Sequence, residues 1–532
     1  MRSLVGWLLI CCAWKVGVTA AYQPASHADV FDLCGRSDKQ RLAAPNDDRQ
    51  GRLLDLRVTA RHSMYDSSDI SGQFIVTALR SATRGQSLHD LSTSDTASLD
   101  FSIQAKSTDG RDLQLASGRI ALGTKDRLLK FTLRRLTPRL TPYEIRFILH
   151  GQSMYSATTE LYYLPAKREG SSVKIDALHG GVLVANNSTG FAYERLIPFE
   201  LSASCSEISS LSHAEVSAYK DAGVNTIGSA CASRQPGLDA LYDDMDSVNL
   251  WYQHSLESPL SEASMLEEVS RLKDRSSLLS WHVGAAAVQS STMEASYALL
   301  RQHDPYHPVG LSFSCDTVEE IYSKADYITE APRSSGQNSD ANQDIRLDLS
   351  AVGHGGNFED TIDRLDANSD YFRSFDDGSK PFWAAPQVTG PMTNAEPWVT
   401  VVLTVNRNAK GILLELGTTN RNLTKAYGRI AKAFNAPEVS QLLLSCAPTR
   451  VDVDNTSSLD VSYWRQGSQV LVAVANLNRT RTSDNVIIDL PFSARRVAKQ
   501  PWGTLSWSLT NGSVLSTYGL DGLATSLLVF DT

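Results

Sequence analysis

Cysteine is scarce, seven in 532 residues, and two of the seven, Cys11 and Cys12, fall within the first dozen positions. The other five are Cys34, Cys205, Cys231, Cys315 and Cys446. Their spacing fits no zinc site, and an odd number leaves at least one thiol free or paired between chains. After residue 20 no apolar run is long enough to span a bilayer. The chain has no P-loop and no Gly-x-Gly-x-x-Gly, so nucleotide binding is not indicated. It has no Gly-x-Ser-x-Gly elbow either, which argues against an esterase. His354 lies in a Gly-rich stretch without clustered His or Cys, so neither a metal nor another cofactor is expected. Basic residues are also outnumbered, 50 against 59 acidic, for a formal charge of −9. Such a surface repels phosphate backbones, and nucleic acid is not the expected partner.

What is present is ordinary globular composition, 42% hydrophobic and 20% charged, in a chain too long for one core. Met1–Ala20 has the layout of a secretion signal. Arg2 gives the positive start, Leu4–Trp14 the short apolar run, and Val18 and Ala20 the small residues of a cleavage site. The alternative is a buried N-terminal helix. Asn-x-Ser/Thr acceptors stand at Asn186, Asn187, Asn422, Asn455, Asn478 and Asn511. Together these features predict a secreted, extracellular glycoprotein with no membrane insertion.

Residues 21–50 are polar and read as a lead-in. Over residues 51–168 the apolar period is two, as in Leu99, Phe101, Ile103 and in Leu129, Phe131, Leu133. That pattern predicts an N-terminal β-sandwich. Lys167–Ser171 reads as a linker. Residues 172–445 alternate short apolar strands with amphipathic helices, the signature of parallel strands and crossover helices. Eight units emerge, with strands at Leu196–Ser204, Val224–Ala230, Val248–Gln253, Leu278–Val283, Val309–Ser314, Asp326–Glu330, Pro381–Val388 and Gly411–Leu416. Residues 447–532 return to period two and form a C-terminal β-domain. The fold class expected is thus multidomain, a (β/α)8 TIM barrel flanked by an N-terminal β-sandwich and a C-terminal β-domain. Trp464, Trp502 and Trp507 in the last domain read as core anchors, with a sugar-stacking platform as the alternative.

In such barrels chemistry sits where strands end and loops begin. Tyr252, Gln253, Trp281, His282, Trp383 and Gln387 lie at or near strand ends. Aromatic rings and amides there suit a sugar, because rings stack on C–H faces and amides read hydroxyls; ordinary packing is the other reading for Trp281 and Trp383. His282 is either a proton shuttle or a satisfied core histidine. The insert Pro332–Asn357 is long enough to cover a site or to be a polar excursion. Cys205 and Cys231 end neighbouring strands and are expected to form a disulfide; Cys34, Cys315 and Cys446 cannot be paired from sequence.

Several phrases carry a family resemblance. They include Tyr162-Tyr163-Leu164-Pro165-Ala166-Lys167, Lys174-Ile175-Asp176 and Leu183-Val184-Ala185-Asn186. Further on come Asp246-Ser247-Val248-Asn249-Leu250-Trp251-Tyr252-Gln253, Asp304-Pro305-Tyr306-His307-Pro308 and Ala409-Lys410-Gly411-Ile412. Over about Leu129 to Phe434 the chain resembles secreted fungal proteins of the glycoside hydrolase superfamily. The resemblance implies the same three-part architecture, with a glycan as ligand or substrate and a host or cell-wall partner as a possibility. It also implies an Asp-Glu-Pro-type segment after the strand-four Ser-Trp, its Glu being the proton donor. Here that place holds Gly284-Ala285-Ala286-Ala287, with Ala286 at the lost acid position. Glycoside hydrolysis normally needs two carboxyl groups across the bond. The remaining candidates at strand ends are Glu330, which fits the family pattern, and Glu415, where relatives tend to have no acid. Each also reads as a structural, paired carboxylate. Glu200 on strand one reads as facing a barrel layer or a basic neighbour. Two functions stay open: an impaired glycoside hydrolase-like enzyme, or an inactive barrel that binds a glycan or a protein.

Overall fold

The computed structural model describes residues 53–82, 84–88, 98–106, 112–151, 153–203, 205–229, 237–256, 261–283, 290–313, 325–330, 358, 362, 365–366, 380–386, 393–415, 421–453 and 458–532. The expected signal, the lead-in, Gly284–Ala287, Gln387 and the insert Pro332–Asn357 lie outside these residues.

The N-terminal part holds two antiparallel four-stranded sheets. One comprises Gln86–Ser87, Leu53–Ala60, Ser71–Ser81 and Thr124–Thr132, in that order. The other comprises Leu113–Ala121, Ser98–Ala105, Tyr143–His150 and Met154–Leu161. The alternating residues meet in one apolar cluster, where Phe74 stacks on Phe131 and Phe101 on Phe147. Their outward partners stay wet, which is why the sequence alternates.

At the centre is a closed barrel of eight parallel strands. They are Phe199–Ala203, Thr226–Ser229, Trp251–Leu256, Leu278–Val283, Val309–Phe313, Tyr327–Glu330, Phe382–Ala384 and Gly411–Glu415, called strands one to eight below. Strand eight pairs with strand one and closes the ring, Glu200 opposite Leu413 and Ser202 opposite Glu415. Strand four has the expected bounds. Strand three begins later than expected because the helix Leu238–Val248 runs on to a C-cap at Asn249, whose φ of +54° places it in the left-handed region. The helix His213–Ala222 starts at a capping box of Ser212 and Glu215 and stops at Gly223. Gly223 has a φ of +113° and backs onto the Gly428 carbonyl, where a Cβ would have no room.

The expected barrel region starts with a feature the strand-helix reading missed. Ser171–Ile175, Val182–Asn186 and Glu194–Leu196 form a three-stranded antiparallel sheet. Leu196 belongs to this sheet and not to strand one. Val173, Ile175, Val182 and Val184 pack with Trp251, Leu279, Tyr327, Trp383 and Leu413 from the strand beginnings. The sheet therefore plugs the N-terminal end of the barrel.

The C-terminal part has a five-stranded and a three-stranded sheet. It is tied to the barrel by buried charge: Arg407 and Asn406, at the end of the helix Ala395–Asn406, both bond Asp460. Trp464 is buried, and Trp502 and Trp507 donate to Thr525 and Ser526. All three serve as core anchors. Asn186 is a further correction. Its side chain caps the turn Asn187–Thr189 and donates to the Ser276 carbonyl with no exposure, which leaves no space for a glycan.

Candidate functional site

Strands buried on both faces do not show by alternation which side chains enter the barrel. Packing settles it. Tyr252 and Trp281 belong to the apolar layer between strands and helices. Tyr252 stacks on Tyr242 at 4.2 Å between ring centroids, and Trp281 donates its indole N–H to Asp304 at 2.8 Å. Neither ring reaches the barrel mouth, so the expectation that they form sugar-facing walls is corrected. Gln253, next to Tyr252 on the strand, faces the opposite side by ordinary alternation and enters the barrel, where it bonds Tyr327.

The interior is built around three large side chains and three glycines. Trp383 and Tyr327 stack at 3.9 Å, both without exposure. Trp383 thus forms part of the floor and not of the mouth. A Cβ on Gly310 would meet the Tyr327 ring at 2.2 Å, and one on Gly411 the Trp383 ring at 2.7 Å. A Cβ on Gly228 would lie 1.8 Å from a Glu200 carboxylate oxygen. Each glycine leaves room for a neighbouring strand's bulky group.

Above this floor the lining is polar. The Tyr327 hydroxyl receives the Gln253 amide and contacts the Ser280 hydroxyl at 2.7 Å. One level higher, His282 Nε2 lies 3.0 Å from the Thr329 hydroxyl, and Nδ1 lies 3.3 Å from that of Ser255. Burial pushes the His282 ring down to about 4, so it is neutral at physiological pH. Ser202 donates to Glu200 Oε1 at 2.9 Å, while Oε2 is buried without a partner among the described residues. Burial drives the Glu200 carboxyl up to about 8, against the smaller opposing effect of Ser202. No basic group faces it among the described residues, contrary to one of the two sequence readings. Glu200 is not among the catalytic candidates that the sequence offers. The signal that could have flagged it is a glutamate in an apolar barrel strand, with a glycine in the next.

Three carboxylates stand on barrel strands: Glu200, Glu330 and Glu415. Only Glu200 has a described side chain. Glu330 ends strand six opposite Phe313, after the inward Thr329; Glu415 ends strand eight opposite Ser202. Cys205, just after strand one, is disulfide-bonded; its expected partner Cys231 lies outside the described residues. Among the described residues no group of three metal-ligating side chains occurs and no helix is long and apolar enough to cross a membrane.

No protein-family model matches the chain, and no curated protein matches it. Solved structures with some likeness include a maltogenic α-amylase, AmyB, from Thermotoga neapolitana. It is 10% identical over 63% of this chain and 98% of its own, with a TM-score of 0.42. The α-amylase of Geobacillus thermoleovorans is 9% identical over 64% and 100%, with a TM-score of 0.43. A family 30 xylanase, Xyn30A, from Clostridium acetobutylicum is 12% identical over 63% and 96%, with a TM-score of 0.39. At these values the likeness assigns neither chemistry nor substrate.

Proposed function

We propose that the chain is a secreted glycoside hydrolase-like protein that holds a neutral glycan at the C-terminal ends of its barrel strands, with impaired hydrolysis. The observation that carries this reading is the uncharged polar interior below those ends. Neutral His282, Tyr327, Gln253 and the hydroxyls of Ser255, Ser280 and Thr329 form a polar layer without net charge. Such a lining suits hydroxyl groups and gives a phosphate or carboxylate no counter-charge. The resemblance of the sequence to secreted fungal glycoside hydrolases supports the same class of ligand.

Impairment follows from the alanines after strand four. General-acid assistance is worth roughly 10²–10⁴-fold, and Gly284–Ala287 supply no acid. Glu330 and Glu415 are the candidate catalytic carboxylates that remain. The competing reading, an inactive barrel that only binds, is favoured by the sealing of Glu200, the described carboxyl, away from any substrate. The proposal extends to Met1–Ala20 as a secretion signal, to glycans on Asn187, Asn422, Asn455, Asn478 and Asn511, and to a Cys205–Cys231 disulfide.

The test is oligosaccharide binding and turnover by the full chain beside Glu330→Gln, Glu415→Gln and Ala286→Glu. Slow turnover lost in Glu330→Gln, and raised in Ala286→Glu, supports the impaired enzyme. Binding without turnover in every form supports the inactive reading. Absence of binding to any neutral oligosaccharide, or strong turnover insensitive to all three changes, overturns the proposed site.

A further inference from the structure

We propose that the outward face of the three-stranded C-terminal sheet is a second carbohydrate-binding surface, on which Tyr518 stacks against a neutral polysaccharide chain. The proposal takes its ligand class from the glycan reading of the barrel but uses none of the barrel's residues.

The sheet consists of Thr482–Asp489, Val514–Leu520 and Ser508–Thr510, with Val514–Leu520 in the middle. Its inner face is buried through Ile488 and Leu515, which belong to the C-terminal core. On the outer face Tyr518 is 79% exposed and Ile487 53% exposed. Tyr518 lies opposite Asn485, and Ile487 lies opposite Ser516. The tyrosine and isoleucine are therefore diagonal neighbours, about 7–8 Å apart, on one regular strand pair.

The strand that carries the ring is paired on both sides. The ring's rim is an amide, Asn485, a hydroxyl, Ser516, and a carboxylate, Asp489, with no lysine or arginine on any of the three strands. An apolar face bordered by groups that read hydroxyls matches a pyranose, whose C–H face is apolar and whose edge is hydroxylated. The absent cations argue against an acidic sugar. A stable protein partner is disfavoured by size, because two exposed apolar side chains fall far short of the roughly 800 Å² that each partner normally buries. Trp464 is buried and Trp502 and Trp507 are partly buried against the core, so Tyr518 is the most exposed aromatic among the described residues of this part of the chain.

The experiment is retention of the full-length protein on insoluble cellulose, chitin, xylan and β-1,3-glucan. Tyr518→Ala and Tyr518→Trp are run beside it, with His282→Asn as the barrel variant. At least one polymer is expected to retain the protein. Tyr518→Ala is expected to weaken retention roughly tenfold, the effect of losing one stacking contact. Tyr518→Trp should retain binding, with the thermal midpoints of all forms showing that they are folded. His282→Asn should lower the affinity for soluble oligosaccharides, which reads the barrel, while Tyr518→Ala should leave that affinity unchanged. Retention unchanged in Tyr518→Ala, retention lost equally in Tyr518→Trp, or no retention on any polymer overturns the proposal. Soluble-oligosaccharide binding decides the barrel reading separately, so the two can fail independently.

Discussion

Glu200→Gln replaces a carboxylic acid with an amide of nearly the same shape, at a site where the acid has nothing to gain from ionising. In the folded protein the Glu200 carboxyl titrates near 8, against 4.5 for a free side chain, because burial penalises its charged form. The folded state therefore keeps its proton over a pH range in which the unfolded chain has lost it. Below pH 4.5 both states are protonated and the group contributes no pH dependence. As the pH rises from 4.5 to 8, ionisation favours the unfolded chain and stability falls; above 8 the loss is complete. The size follows from the difference between the two values at 1.36 kcal/mol per pH unit, or about 5 kcal/mol. Glutamine has no such titration. The variant should match the native protein near pH 4.5 and exceed it progressively up to pH 8. Calorimetry at pH 4.5, 6 and 8 resolves the barrel transition from those of the flanking sheets. A difference between the two proteins that stays constant with pH would refute the reasoning and mean that Glu200 is ionised in a site with a counter-charge.

Three further outcomes follow from the same packing. Gly228→Ala sets a methyl against Glu200 and should cost roughly 1–3 kcal/mol by overpacking; in a Glu200→Ala background most of that cost should vanish in a double-mutant cycle. Trp281→Phe removes the donor to Asp304 behind the barrel and should lower stability by about 1–3 kcal/mol, while oligosaccharide affinity, measured calorimetrically, stays the same. Asp460→Ala takes from the buried Arg407 its nearer carboxylate at the junction of the barrel and the C-terminal sheets and leaves it Asp366 at 3.3 Å, and denaturant titration should show a loss of about 1–3 kcal/mol.

The eight-strand ring was legible because its units repeat the same local physics: an apolar run, a turn and an amphipathic helix. Strand four was readable to the residue, and most helices to within a few residues, since Ser212, Ser261 and Gly223 mark their ends in plain chemistry. The plug formed by residues 171–196 was not legible as a plug. Its short strands look like a preamble to strand one until the barrel gives their valines and isoleucine something to cover. Inward and outward sets were not legible either. In Leu278–Val283 every residue is buried, so nothing in the sequence separates the helix-facing Trp281 from the inward Ser280 and His282. The irregularity between strands three and four, where Leu279 is the extra residue, exists only once the two strands pair. Glu200 and Gly228 are 28 positions apart and explain each other only once strands one and two are side by side.

The last prediction concerns a constellation that imitates a nucleophilic site. Ser171 Oγ lies 3.0 Å from His307 Nε2, and His307 Nδ1 lies 2.7 Å from Asp304 Oδ2. These separations would serve a serine hydrolase, in which the carboxylate orients the imidazole and the imidazole takes the hydroxyl proton. What the cluster lacks is a place for a substrate. Ser171 and His307 have no exposure and Asp304 has 1%. The Ser171 hydroxyl is also within 2.9 Å of the Arg275 carbonyl and 2.8 Å of the Leu278 carbonyl. It is thus pinned between the barrel plug and the start of strand four. Asp304 is held below the usual carboxylate range despite its burial, through His307, Lys167 and the Trp281 N–H, as a buried anion must be if it is to remain charged. The arrangement fastens the plug to the barrel wall. A fluorophosphonate probe, which labels activated serines, should leave native Ser171 unmodified. Ser171→Ala should instead lower the unfolding free energy by roughly 1–3 kcal/mol, because His307 Nε2 loses its buried partner while Nδ1 keeps Asp304. Labelling of Ser171 in the folded protein, with stability unchanged in the alanine variant, would show that the cluster opens to solvent and that its role is chemical.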